Sequence, residues 1–268
     1  MLTKAAEQDR LALMEYCLVE PNINLFILGD IEHFGFDSSF QEVWFQTQAG
    51  QISAVALRYH DSLIIYSRDG NVDHKELRAI LDTRQIRVIS GKQSVVDPFF
   101  ATLGGKYSRR EMVFCELQGF AGLAEDNGEV EVASAADAME IAHVYDQISE
   151  FAGLYAADLN LRHQQIANRI TSKEGVHMVI RRDGKIISHA NSAGETSVSA
   201  MIGGILTLPE FRGKGLGSQV ISAVCRDLAR RGRSACLFYD SKQNGNIFTR
   251  LGFKATNNWI FLEKGTNE

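Results

Sequence analysis

Apolar positions recur at helical spacing over Ala5–Val19 and again around Leu25–His33, so the chain opens on two amphipathic helices. The period then drops to two. Residues Glu42–Gln48 and Gln51–Tyr59 alternate as a pair of strands joined at Ala49-Gly50. The same order returns downstream: a helical stretch over Ala135–Ile148, a helix around Leu161–Thr171, then strands Val176–Arg181 and Lys185–Ala190. These last two flank Asp183-Gly184, a dipeptide suited to the positive φ angles of a tight hairpin. The ends of the halves match as well. Phe99-Phe100-Ala101-Thr102-Leu103-Gly104-Gly105-Lys106 stands beside Ile247-Phe248-Thr249-Arg250-Leu251-Gly252-Phe253-Lys254, and each precedes an apolar strand, Glu111–Leu117 or Trp259–Glu263. Repeated order and repeated endings point to duplication of one unit. The boundary falls near Gly119–Gly128, where glycines and acidic residues break the pattern, giving domains 1–125 and 129–268. The expected fold is α+β, two units each with a mostly antiparallel, mixed sheet flanked by helices.

Bulk properties narrow the function classes. The 268 residues allow two domains, and 45% hydrophobic with 23% charged residues is the balance of a soluble globular protein. A net charge of -5 without a basic run argues against nucleic acid as the main partner, since phosphate-backbone binding needs a positive footprint. The N-terminal MLTKAAEQDR lacks a secretory apolar stretch, and no apolar run reaches the ~18 residues that span a bilayer. A cytoplasmic protein without membrane contact is therefore expected. Cys17, Cys115, Cys225 and Cys236 form no CxxC pair and read as small buried apolar residues. The histidines show no metal-ligand spacing, so no metal is expected.

Candidate chemistry concentrates in one segment, Ile202-Gly203-Gly204-Ile205-Leu206-Thr207-Leu208-Pro209-Glu210-Phe211-Arg212-Gly213-Lys214-Gly215-Leu216-Gly217-Ser218. An apolar strand ends at Pro209, which has no N–H for a ladder. A glycine-rich turn follows, then a helix with apolar residues at Leu216, Val220, Val224 and Leu228, closed by Arg230-Arg231-Gly232. Glycines thus sit at a helix N-terminus, where unpaired N–H groups and the helix dipole attract an anion. Arg212 and Lys214 add charge suited to phosphates. A P-loop would need Ser or Thr after Gly-Lys, whereas Gly215-Leu216 follows Lys214; a dinucleotide fingerprint would need glycine at Ser218.

This segment resembles the Arg/Gln-x-x-Gly-x-Gly/Ala signature of the GNAT acetyltransferase superfamily, met by Arg212, Gly215 and Gly217. The resemblance runs from about Glu131 to Glu263 and takes in the Pro209 strand, the strand Ala235–Tyr239 and the Leu251-Gly252-Phe253 ending. It implies tandem GNAT-like units and an N-acetyltransferase that moves an acetyl or small acyl group from acetyl-CoA to a primary amine of a small molecule or peptide. By the resemblance, Leu206, Thr207 and Leu208 hold the pantetheine arm, one N–H there polarising the acyl carbonyl. Arg212, Gly213, Lys214, Gly215, Leu216, Gly217 and Ser218 hold the pyrophosphate. Ser241 stands where the family often has a pantetheine-binding Asn, and Phe248 where it often has a Tyr acid; Phe248 cannot donate. Tyr239 is the substitute acid, while Glu195 and His189 are candidate bases alongside solvent water. Glu150, Tyr155 and Asp158 lie in the region that borders the acceptor in the family. The corresponding turn of the first half, Ser67–Glu76, has one glycine and three carboxylates that repel a pyrophosphate, so the first half reads as a degenerate copy. A non-catalytic acyl-CoA-binding or sensing protein and a dinucleotide oxidoreductase are the alternatives, and homodimer formation is left open.

Overall fold

The computed structural model describes residues 1–149, 158–240 and 245–265. Glu150, Tyr155 and Ser241 lie outside the described residues. The first half runs β1 (Leu2–Lys4), α1 (Arg10–Cys17), α2 (Leu25–Phe34), β2 (Gln41–Gln48), β3 (Gln51–Tyr59), β4 (Ser62–Ser67), α3 (His74–Thr83), β5 (Val88–Lys92), α4 (Gln93–Phe100) and β6 (Tyr107–Leu117). The second half follows as β7 (Val130–Val132), α5 (Ala138–Asp146), α6 (Leu159–Ser172), β8 (His177–Arg182), β9 (Lys185–Ala193), β10 (Ser199–Thr207), α7 (Leu216–Arg230), β11 (Ser234–Tyr239), α8 (Gly245–Arg250) and β12 (Phe253–Lys264). The two lists match element for element, as a duplicated unit requires.

Local chemistry explains most of these boundaries. Asp183 and Gly184 both adopt positive φ, 51° and 76°, and so do Ala49 and Gly50. Both hairpins therefore carry the tight-turn geometry that matches strand twist, and they set the registers Arg182–Lys185 and Gln48–Gln51. The helix expected over Ala5–Val19 is shorter, because Glu7–Asp9 form a 3-10 turn in which the Asp9 carboxylate accepts from the Ala6 N–H. The stretch before α5 repeats this arrangement with Ser134 and Asp137.

The chain forms two compact units that do not divide at a single cut near Gly119–Gly128. The first gathers Met1–Cys115, the segment beginning at Phe238 and the chain from Ala255; the second holds Glu116–Leu237 and Gly245–Lys254. Strand pairing is the reason. In the first unit the strand order is β1-β2-β3-β4-β5-β12-β6, so the last strand of the chain lies beside β5. Trp259 pairs with Lys92, Ile260 with Gly91 and Leu262 with Ile89. Ile260 and Leu262 are fully buried in one core with Leu63, Ile65, Leu77 and Phe99. The second unit orders its strands β11-β10-β9-β8-β7, antiparallel except where β10 meets β11.

Glu42 of β2 anchors a charged cluster in the first unit. Its carboxylate accepts from Lys4 (3.0 Å), from Arg58 (2.9 Å) and from two nitrogens of Arg84 (2.6 and 2.8 Å). The Arg84 hydrogen bonds, ahead of opposing desolvation, hold the Glu42 pKa down at about 2, against an ordinary 4.5. The ionised form is favoured by folding, so its stabilisation is full above pH 4.5 and is lost as pH falls towards 2. Glu42→Gln is expected to remove that part of the acid sensitivity. Circular-dichroism unfolding curves between pH 5 and 2, compared with the parent, check this; parallel pH profiles for the two proteins refute it.

Candidate functional site

The glycine-rich turn sits where the sequence places it, with two refinements. Strand β10 ends at Thr207, and Pro209 opens a 3-10 turn, Pro209–Phe211, in place of the strand end expected at Pro209. Gly213 and Gly215 both have positive φ, 78° and 80°, and a β-carbon on either would meet open space. Gly215 is the N-cap of α7 and, lacking a side chain, makes no capping bond itself. Its carbonyl takes the first helical bond, from the Gln219 N–H at 3.1 Å. The N–H groups of Leu216, Gly217 and Ser218 have no intrahelical acceptor, and the first turn holds no acidic residue. Leu216, Val220, Val224 and Leu228 are buried, so the apolar stripe fixes the helix and with it the direction of those donors. Arg212 donates from Nε to the Thr207 carbonyl at 3.1 Å, and Lys214 lies 5.2 Å from the Phe211 ring centroid. Both cations are thereby held beside the turn.

Under this helix the strand is irregular. Gly203 of β10 pairs with Asn191 and Leu206 with His189, so Gly204 and Ile205 together face the single residue Ala190. This is a β-bulge with a left-handed first residue, Gly204 at φ 56°. The parallel ladder with β11 covers Ser199–Ser234, Ala200–Ala235 and Met201–Cys236, while β10 continues to Thr207. The two strands therefore part company before the bulge. The Leu208 N–H donates to the Ile187 carbonyl at 2.9 Å, which withdraws it from the donors expected for a pantetheine arm. Antiparallel alternation then turns the N–H and C=O of Thr207 away from β9, towards the edge that β11 has left. The Thr207 hydroxyl lies on the α7 face, 2.9 Å from that of Ser188, which also donates to the Leu206 carbonyl.

The proposed bases fare differently. Glu195 is buried between cations: Ser192 Oγ and Arg231 donate to Oε1 at 2.6 and 2.9 Å, and Arg233 binds Oε2. Burial raises its pKa, but the bonds from Arg231 and Ser192 outweigh this and hold it below the ordinary carboxylate range. Arg231 follows the C-terminus of α7 while the glycine turn precedes its N-terminus, about 22 Å away at 1.5 Å per residue. Glu195 is a structural ion-pair centre at the far end of the helix, with no place as a base. His189 is fully buried, and both ring nitrogens are engaged, Nδ1 with the Gly204 carbonyl at 2.7 Å and Nε2 with His177 Nδ1 at 2.9 Å. It has no nitrogen left for a substrate proton. Tyr239, partly buried, is the last residue of β11, and desolvation raises its pKa. Phe248 is buried against Phe253, ring centroids 6.3 Å apart, and serves as core. Asp158 caps α6 by accepting from the Leu161 N–H at 2.8 Å.

The first unit differs at the equivalent place in its helix cap and its strand pairing. Its helix α3 is capped by its own Asp73, whose Oδ1 accepts from the N–H groups of Lys75 and Glu76 at 3.0 and 3.2 Å. Strands β3 and β4 pair without a bulge from Ala54–Ser67 to Tyr59–Ser62. A carboxylate thus occupies the donors that α7 leaves open. Among the described residues no group of three His, Cys, Asp or Glu converges to hold a metal, and no helix is long and apolar enough to cross a membrane.

Comparison with known proteins bears on the same half. The family model for FR47-like proteins matches residues 185–262, from β9 through most of β12. No curated protein matches the chain by sequence. Solved structures do match along its whole length. A Drosophila protein is similar at a TM-score of 0.71 and 14% identity, over 100% of this chain and 99% of its own. A GCN5-related N-acetyltransferase from Sphaerobacter thermophilus gives 0.62 and 12%, covering 100% and 97%. A tandem GNAT protein from the clavulanic acid biosynthesis pathway gives 0.60 and 13%, covering 100% and 99%. With the element order repeated in each half and the bulged, parted strand beneath an uncapped helix, the chain has the tandem fold of the GNAT acetyltransferases.

Proposed function

We propose that the second half binds an acyl-CoA and transfers its acetyl or small acyl group to a primary amine, and that the first half binds no coenzyme. The observation that carries this is the uncapped N-terminus of α7. Three N–H groups without an intrahelical acceptor, two glycines whose missing side chains leave space, and Arg212 with Lys214 beside them make a site for a pyrophosphate. The Thr207 N–H, turned towards the parted edge of β10, suits the amide carbonyl of a pantetheine arm. In the transfer, the neutral amine nitrogen attacks the thioester carbon, the tetrahedral oxyanion collapses, the C–S bond breaks and the thiolate takes up a proton. Backbone N–H donors stabilise the oxyanion, commonly the largest single contribution in acyl transfer. With Glu195 and His189 committed elsewhere, the ammonium proton of the acceptor leaves to water. The Tyr239 hydroxyl, its pKa raised by partial desolvation, remains protonated at neutral pH, the state required to return a proton to sulfur.

Calorimetric titration with acetyl-CoA, with NAD as control, tests the coenzyme assignment; saturable binding of acetyl-CoA alone supports it, and none rejects it. Tyr239→Phe is expected to lower turnover about 10–100-fold with acetyl-CoA affinity unchanged, the mark of a proton donor. Equal turnover in the variant assigns that proton to solvent. The second reading, a non-catalytic acyl-CoA-binding protein, is favoured by Phe248, which puts a core side chain where an acid is common in the family. Coenzyme binding without thiol release against any amine would select it.

A further inference from the structure

The most unusual polar group in the second unit is a pair of buried histidines. His177 and His189 are diagonal neighbours across β8 and β9, 2% and 0% exposed, and lie on one face with Asn191. Tyr145 of α5 packs edge-on against His189, ring centroids 5.6 Å apart. A carbonyl only accepts, so His189 Nδ1 must carry the proton it shares with the Gly204 oxygen. His189 Nε2 is then bare and accepts from His177 Nδ1–H. The chain of donors has one direction, and it ends on a single peptide group. Among the described residues, His177 Nε2 has no hydrogen-bond partner. Burial pushes the His189 pKa down to about 4 and that of His177 to about 3, the latter helped by His189 and Arg169, so both rings are neutral at neutral pH. Two buried histidines, one of them leaving a buried nitrogen unsatisfied, cost stability that apolar residues at these positions would not.

The bonded peptide is the one that forms the bulge. In a trans peptide the C=O of one residue and the N–H of the next point in opposite directions. The Gly204 carbonyl is drawn to the His189 ring, so the Ile205 N–H points the opposite way, away from that ring. The β11 ladder has already ended, at Met201, so β11 offers that N–H no ladder partner. We propose that His189, braced by His177, is a positioning residue that fixes the bulge peptide and aims the Ile205 N–H at the carbonyl oxygen of a bound acyl thioester. The proposal rests on the acyl-CoA reading given above. Donation from the ring to Gly204 O also polarises the peptide, which strengthens the N–H at its other end. Tyr145 and Asn191 close the remaining space around Gly204, so the peptide has little freedom to rotate.

The test needs no knowledge of the acceptor. The carbonyl stretch of acetyl-CoA labelled with 13C at the thioester carbon is measured free and bound to the full chain. Wild type is expected to bind it and move the stretch to lower frequency. His189→Leu is expected to bind acetyl-CoA within about threefold of wild type, a small part of the coenzyme's binding energy, yet to lose the shift. His189→Asn, whose amide nitrogen can stand near the Nδ1 position, should restore it. A merely structural role would not separate affinity from the carbonyl frequency in this way. If His189→Leu does not fold, 15N spectra of histidine-labelled wild type decide: both rings should be Nδ1–H tautomers, and an Nε2–H tautomer at His189 overturns the proposal. So does a shift that survives in His189→Leu, or an unshifted carbonyl on bound wild type. Failure of wild type to bind acetyl-CoA is a different result, since it removes the coenzyme assignment and the positioning role with it.

Discussion

Gly215→Asp is expected to lose acyl-CoA affinity by about 10²–10³-fold while the protein stays folded. A carboxylate about 4 Å from a phosphate charge, at the effective dielectric of a protein surface, costs about 4 kcal/mol, which is that loss. It would also occupy the open N–H groups of α7, as Asp73 already occupies those of α3. Stability should change little. Asp is among the few residues that accept a left-handed conformation, and nothing lies within 4 Å of the added β-carbon. Gly215→Asn has nearly the same shape without the charge and should lose less than about tenfold. Calorimetric titration of the three proteins checks the pair. Equal affinity for the Asp variant and the parent would place the pyrophosphate elsewhere.

The largest stability effect is expected at Gly204→Ala. The added β-carbon would stand well inside contact distance of Asn191 Oδ1 and the Tyr145 hydroxyl and 3.0 Å from His189 Cε1, in a left-handed backbone that alanine disfavours by about 1–2 kcal/mol. Relaxing this crowding means moving a buried network that is packed from α5, β8 and β9. A loss of roughly 2–4 kcal/mol is expected, or a fall in Tm of about 5–15 °C for a chain of this size. Gly213→Ala serves as the control, because its φ is also positive, at 78°, while its surroundings are open. Its loss should be limited to the backbone contribution. Thermal unfolding of both separates crowding from conformation, and equal losses would assign the whole effect at Gly204 to φ.

Local chemistry made much of this readable. The turn at Asp183-Gly184, the stripe Leu216-Val220-Val224-Leu228 and the glycine turn before it are each decided within a few residues, and each stands where the pattern puts it. The paired endings of the halves correctly signalled one repeated order of elements. Features fixed by distant partners were not readable. Alternation marks Trp259–Glu263 as a strand but cannot say that Ile260 will lie opposite Gly91, more than a hundred residues earlier. Glu195 looked free until Arg231 and Arg233 were brought to it by the return of α7. His189 looked like a base because its partner, His177, sits on another strand and the carbonyl that takes its proton belongs to a third. One local sign was present: Gly203-Gly204 inside an apolar strand is the signature of a bulge or of close backbone approach.

The place of β12 beside β5 ties the two halves together in time. During synthesis, every strand of the first half is made by Leu117, yet the strand that covers β5 ends only at Lys264. At about 5–20 residues per second, the ribosome takes roughly 7–30 s to supply it. Through that interval the edge of β5 and the apolar side chains that will meet Ile260 and Leu262 have no partner, the condition in which nascent chains aggregate or recruit chaperones. The first half therefore cannot mature ahead of the second, and the usual order of folding, N-terminal domain first, does not apply to it.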